Sequence, residues 1–174
     1  MEALAVSHSQ IPEWEESRFP LYAADRIQSL YGSSNRPMHA IDEELTVLIA
    51  IAGGEGMLKV GDKSYELTEG SAVLLPPRSR AALIASRPRR LHAYKLAIAA
   101  MDPPRGASSA ALTRSSEALS GSSVLFFPRE PAIVACLEEL YIHRSPENEA
   151  RHVRNQIAFH QVVLRLLERQ PSGH

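Results

Sequence analysis

Gly54-Glu-Gly56-Met-Leu-Lys-Val-Gly61-Asp-Lys-Ser-Tyr-Glu-Leu67-Thr-Glu-Gly70-Ser-Ala-Val-Leu-Leu-Pro76-Pro77 is the stretch that decides the fold. Three short β-prone runs are separated here by turn residues. Gly56–Val60 and Lys63–Leu67 flank Gly61-Asp62, a two-residue hairpin turn where positive φ is cheap for Gly and tolerable for Asp. The second run alternates and stops at Thr68-Glu69-Gly70. Ser71–Leu75 reads as another buried strand, apolar from Ala72 on, and Pro76-Pro77 ends it because proline has no N–H for a ladder.

The same pattern extends outward on both sides. Leu45–Ala52 reads as a strand buried on both faces and closed by Gly53-Gly54. Arg80–Ala85 and Arg90–Ala99 follow, separated by a Ser86-Arg87-Pro88 corner, and weaker strands are expected over Leu21–Tyr31 and Pro37–Ile41. Strands this short at this spacing indicate an antiparallel sandwich or barrel, not a parallel α/β sheet. Asp102–Ser123 differs: Pro103-Pro104 and a Ser/Ala-rich run read as a connection with room for one short helical turn. Ser123–Phe127 is either one more strand or a hydrophobic clip onto the barrel.

From Pro131 the period changes. Ile133, Val134, Leu137, Leu140 and Tyr141 recur at helical spacing, and Cys136 falls in the same pattern as a small buried hydrophobe. Ser145-Pro146 is expected to supply the N-cap and first position of a second helix running to about Arg169. That helix carries two apolar stripes. Val153, Ile157, His160, Leu164 and Leu167 line one; Phe159, Val162, Val163 and Leu166 line the other. One stripe suffices to dock a helix on a core, so two stripes imply two partners. The expected second partner is another copy of the chain, reached through Phe159, Val162, Val163 and Leu166, with His160 a packing or interface residue.

The chain has 174 residues and a formal net charge of -1, enough for one domain with an appendage and without the basic field that holds nucleic acid. A single cysteine excludes an internal disulfide and fits a reducing compartment. Residues 1–9 lack a basic start and a long apolar run, and Val47–Ala52 is too short to span a bilayer, so a soluble cytoplasmic protein is expected.

The G-x-G turn, the Gly-containing hairpin and the Gly70-Ser-Ala-Val-Leu-Leu-Pro-Pro77 strand occur in the order of the cupin barrel of AraC-type transcription regulators, and the chain resembles that family over residues 19–169. The two C-terminal helices, with Phe159-His160-Gln161, resemble the same family's sensor domain. The resemblance implies a mainly β fold, a double-stranded β-helix (cupin, jelly-roll barrel) followed by a two-helix hairpin. It divides the chain into an N-terminal arm (1–18), a barrel (19–101), a connection (102–129) and the hairpin (130–170). The family's DNA-binding helix-turn-helix module would follow the hairpin, outside this sequence.

Metal-bearing cupins use three His and a Glu. Aligned on Gly53, this sequence has His39 at the first His, Ile41 at the second and Leu45 or Thr46 at the Glu; aligned on Gly70 and Pro76, it has Arg78 at a Gly and Ala81 at the last His. One ligand of four cannot hold a transition metal, so no metal and no cofactor is expected. The barrel cavity then becomes a candidate small-molecule pocket. By resemblance to sugar-sensing members, His92 and Tyr94, two residues apart and so on one strand face, are expected to contact an effector, with Arg36, His39 and Arg80 as further ligand-binding candidates. Trp14 is a lid over the barrel mouth or part of a loose tail. No nucleophile elbow, paired carboxylates or phosphate loop is present. The reading is therefore a non-enzymatic effector-sensing and dimerisation domain. The alternatives are a metal-free isomerase using His92 or His39, or a stand-alone binding protein with a filled barrel.

Overall fold

The computed structural model describes residues 22–32, 38–86, 90–100, 123–145 and 147–169. Its elements are β1 (Tyr22–Gly32), β2 (Met38–Asp42), β3 (Thr46–Gly53), β4 (Glu55–Val60), β5 (Lys63–Thr68), β6 (Ala72–Leu75), β7 (Arg80–Ala85), β8 (Leu91–Ala100), β9 (Leu125–Phe127), α1 (Pro131–Ile142) and α2 (Glu149–Arg169). The strands form two antiparallel sheets, ordered β1-β8-β3-β6-β9 and β2-β7-β4-β5. This is the jelly-roll arrangement expected of a cupin, with the two helices at its C-terminal end. Leu125–Phe127 is a true strand, paired with β6 at the sheet edge, so part of the expected connection belongs to the barrel.

Three layers result: the four-stranded sheet, the five-stranded sheet and the helical hairpin. The five-stranded sheet is therefore covered on both faces. That is why β6 and the centre of β3 are apolar throughout, with Val47 through Ile51 and Ala72 through Leu75 all buried. The four-stranded sheet has solvent on its outer side and alternates instead. Along β7, Ala81, Leu83 and Ala85 are buried while Arg80 is exposed. Each Leu, Ile or Val fully withdrawn from water stabilises the fold by about 1.5–3 kcal/mol, before the chain-ordering cost that nearly cancels the sum.

Two turns explain sequence features that hydrophobicity cannot. The β4–β5 hairpin places Gly61 at φ 58° and leaves Asp62 outside the positive-φ region, so Gly at the first turn position sets the type. Gly54 sits at φ 82°, and a Cβ there would lie 1.5 Å from the Arg90 carbonyl oxygen. At Gly56 it would lie 2.6 Å from the Ile84 carbonyl oxygen. The G-x-G pair is thus a place where strand backbones cross too closely for side chains. Arg78, standing where a cupin motif has Gly, adopts the glycine-like φ of 64° and donates its N–H to the Glu43 carbonyl at 3.0 Å.

Pro131 opens α1 at its first position, where its missing N–H costs nothing. The second helix starts later than Ser145-Pro146 implied. Asn148 Oδ1 accepts the Arg151 N–H at 2.9 Å, which makes Asn148 the cap, because its amide oxygen reaches the third helical N–H.

The two stripes of α2 are both present, with their roles exchanged. Phe159, Val162, Val163 and Leu166 are at most 5% exposed and pack on α1 and the five-stranded sheet within the same chain. They cannot present a surface to a second subunit, which corrects the expected interface. Val153, Ile157 and Leu164 are instead 48%, 53% and 55% exposed. The sequence holds two equivalent-looking stripes, and only the sheet's position decides which is covered.

Candidate functional site

The space between the two sheets is the cupin lumen. It is occupied by the protein's own side chains: Val47, Ile49, Ile51, Leu58, Leu83 and Leu91 are each no more than 1% exposed. The sequence reading offered the lumen as a candidate small-molecule pocket with a filled barrel as the alternative, and the described residues leave it packed.

The expected effector residues scatter accordingly. Arg36 and Trp14 lie outside the described residues. Arg80 is exposed on the outer face of the four-stranded sheet, opposite Asp42, because β7 points Ala81, Leu83 and Ala85 inward. His39 keeps the lumen-facing parity of Ile41, but its Nε2 is hydrogen-bonded to the Tyr31 carbonyl and ties β2 to β1 across the barrel mouth. Together with Ile41, Thr46 and Ala81, it forms no metal-binding group among the described residues.

His92 and Tyr94 do share a face, as period 2 requires, but it is the face opposite to the lumen. On β8, Leu91 and Ala93 point between the sheets while Tyr94, Leu96 and Ile98 point at the helices. A register that looked luminal is reversed, since a buried strand gives no sequence clue to its two sides. His92 stacks on Tyr31 with centroids 4.4 Å apart, and its Nε2 lies 2.9 Å from Ser29 Oγ. Tyr94 meets His92 edge-on at 4.9 Å and Tyr141 of α1 at 5.5 Å. Burial lowers the His92 pKa against a smaller opposing pull from Glu138, which favours the neutral imidazole. Burial likewise raises the Tyr94 phenol and the Cys136 thiol, leaving neither as a ready nucleophile or base. These rings run from Tyr31, which is 68% exposed, through His92 and Tyr94 to Tyr141 of α1.

The open space lies on that same outer face, nearer the other end of the sheet. A cavity of about 730 Å³ sits between β1, β8 and the helical hairpin. Its floor is apolar: Ile27, Leu96, Leu140 and Phe159. Its rim is polar, with Arg144, His152, Asn155 and His160. Burial lowers the His160 pKa. Asn155 donates from Nδ2 to the His143 carbonyl at 2.6 Å, joining α2 to the end of α1, while its Oδ1 is buried without a hydrogen-bond partner. The volume is in the range of small-molecule sites, and eight of the thirteen lining residues, Asp25 and Arg26 among them, are polar or charged. Sequence reasoning missed this cavity. The available signal was Asn155 itself, a polar residue in line with Phe159, Val162 and Leu166 at helical spacing.

The strands are also joined by charge. Glu43 accepts from Lys95 Nζ at 2.8 Å and from Arg26 at 2.7 Å, joining β8 and β1 to the turn before β3. Lys95 is nearly buried, whereas Arg26 is half exposed and adds little. The Lys95 hydrogen bond, outweighing desolvation, holds the Glu43 carboxyl below its ordinary value of 4.5. A depressed carboxyl pKa contributes stability that is complete above the unfolded value and lost as pH falls through the folded one. Glu43→Gln should therefore cost about 2 kcal/mol at pH 7, because Lys95 loses its anion, and the gap from wild type should narrow below pH 4. Urea denaturation at both pH values measures this; an unchanged gap in acid refutes the assignment.

The sequence model of the AraC-like ligand binding domain matches residues 27–163. Among curated proteins, none matches. Among solved structures, ToxT from Vibrio cholerae O395 superposes with a TM-score of 0.52 at 16% identity, covering 87% of this chain and 56% of that one. ToxT from Vibrio cholerae strain SCE256, solved with an unsaturated fatty acid bound, gives 0.45 at 14% identity, covering 83% and 55%. The Cnp3 cupin domain of Schizosaccharomyces pombe gives 0.39 at 8% identity, covering 46% and 64%. The chain spans little more than half the length of ToxT. At 16% identity the likeness to ToxT is one of fold.

Proposed function

The chain belongs to the AraC-like ligand binding domain family, and from that membership we propose that it is the effector-sensing and self-association half of a bacterial AraC-type transcription regulator. It acts in the cytoplasm as a non-enzymatic switch, and DNA is read by a helix-turn-helix domain outside this sequence. The observation that carries the reading is the cavity of about 730 Å³ pressed between the sheet and both helices. A ligand there touches the elements that would have to move for binding to be felt elsewhere, as differential affinity for two arrangements requires. The length relation to ToxT supports a further domain, since 44% of that chain has no counterpart here, the remainder of the 56% matched. The neutral-to-acidic balance of this chain agrees with leaving DNA contact to that domain.

Self-association is assigned to the exposed stripe Val153, Ile157 and Leu164, in place of the buried one. Ile157→Glu should lower the apparent mass in sedimentation at micromolar concentration while leaving the melting temperature within about 2 °C, because the residue is surface-exposed in the monomer. A wild-type chain that sediments as a monomer refutes the assignment. The sensing reading is tested by a thermal-shift screen of sugars, organic acids and siderophore-like compounds against the chain. At least one class should raise the melting temperature with a saturating dose response.

A further inference from the structure

Val153, Ile157, His160, Leu164 and Leu167 follow one another along α2 at intervals of four, three, four and three residues. That is the heptad rhythm of a seam between two helices, where alternate steps of three and four keep one line of side chains against a partner. Val153, Ile157 and Leu164 are three of the six exposed large hydrophobics among the described residues. His160 is half-buried and sits at the centre of the series. We infer that two copies of the chain pair α2 antiparallel along this seam, with His160 against His160 of the second copy, and that protonation of this pair separates them. The inference rests on the self-association proposed above and adds its geometry and its control by acid.

The seam is complementary to a second copy of itself. Turned about His160, the series sets Val153 opposite Leu167 and Ile157 opposite Leu164, so every apolar residue in it meets another. The flank agrees. Arg154, Gln161 and Glu168 recur every seven residues beside the seam, and all three are exposed. The same rotation puts Arg154 opposite Glu168 of the second copy, twice over, and Gln161 opposite its counterpart. Neither Arg154 nor Glu168 has an ion pair within the chain among the described residues. Exposed pairs of this kind add little strength, but they fix direction and register. The other flank turns back into its own domain at Val163, which is buried.

Acid acts at the centre of the seam. Histidine is the side chain that ordinarily changes charge between pH 5 and 8. One turn away on α2, His160 has only the uncharged Gln156, Ile157, Val163 and Leu164, and the Phe159 ring lies 5.9 Å from its own. In the cavity it also lines stand Asp25 and Arg26 of β1, Arg144 just after α1, and His152. The one carboxylate there is offset by two guanidinium groups. The second copy brings Ile157, Gln161, Leu164 and another imidazole. Burial already lowers the His160 pKa in the single chain, and a like charge across the axis lowers it again. A group whose pKa is lower when paired favours pairing above its free value and opposes it as pH falls through that value. Because two such groups meet, the dissociation constant grows by up to about a hundredfold per pH unit in that range.

Sedimentation equilibrium of the full chain at pH 7.5 and pH 5.5, at constant salt, tests this with wild type and variants. The wild-type dissociation constant should rise at least about tenfold on acidification. His160→Leu should associate at least as tightly at pH 7.5 and change less than about threefold, so it also reports any acid effect arising elsewhere. Arg154→Glu should weaken association at pH 7.5, and adding Glu168→Arg should restore it. A wild-type constant that does not move with pH, or a His160→Leu variant that follows wild type, would overturn the switch and leave self-association standing. Restoration by Glu149→Arg in place of Glu168→Arg would overturn the antiparallel pairing. A wild-type chain that is monomeric at pH 7.5 would overturn self-association and this inference together. The compound screen described above decides the sensing reading separately.

Discussion

Replacing Gly54 with alanine is expected to destabilise the domain by about 2–5 kcal/mol, enough to unfold much of it at 37 °C. Two independent costs meet at this residue. Its φ of 82° is one that side chains with a Cβ rarely adopt, worth about 1–3 kcal/mol. The new methyl would also fall 1.5 Å from the Arg90 carbonyl oxygen and 3.0 Å from the Leu91 Cα, both backbone atoms at the start of β8. Backbone cannot rotate aside as a long side chain can, so β8 must shift, and β1 and β3 pair with it on either side. Chemical denaturation monitored by circular dichroism measures the loss. Gly61→Ala is the comparison, since Gly61 has positive φ but nothing within 4 Å of its Cβ position, and it should cost about 1–2 kcal/mol. Equal losses at the two glycines would show that the close approach contributes nothing.

The second large effect separates the two stripes of α2. Leu166→Ala should cost about 2–5 kcal/mol, because Leu166 is fully buried against α1 and the sheet and its removal leaves a cavity. Leu164→Ala, two residues away and 55% exposed, should change monomer stability by no more than about 0.5 kcal/mol. Urea melts at low protein concentration, where self-association adds nothing, compare them. Similar losses for both would mean that the helix docks in another rotation, with the exposed stripe inward.

These two residue pairs show what was legible beforehand. The turns were, because Gly54, Gly56, Gly61, Gly70 and Pro76 have backbone requirements that sequence states directly. The turns alone implied an antiparallel sandwich or barrel, and the cupin arrangement came from the resemblance they carry; the crossed strand order was not read from them. The doubly buried strands were also legible, since Val47–Ala52 of β3 and all of β6 are apolar. That same uniformity erased the difference between their two sides. His92 and Tyr94 were placed together correctly and on the wrong side, since nothing in Leu91–Ala100 marks which parity meets the other sheet and which meets the helices. On α2 the problem recurred with two stripes of similar character. A cavity formed between distant segments such as Ile27 and Phe159 has no local period at all, and only Asn155, a polar residue aligned with an apolar stripe, pointed towards it.

The pairing of β1 with β8 has a kinetic consequence. Tyr22 lies opposite Ala100, so the first strand made waits for the eighth before it has its sheet neighbour. The β4–β5 hairpin needs only a two-residue closure and can form in about 1–10 μs. Closing β1 onto β8 must instead draw together residues far apart in sequence, and the chain entropy of that closure precedes any gain in contacts. Folding should consequently fall on the millisecond-to-second timescale of non-local β topologies. During synthesis β1 emerges long before its partner, and α1 and α2 cannot dock until the five-stranded sheet has closed.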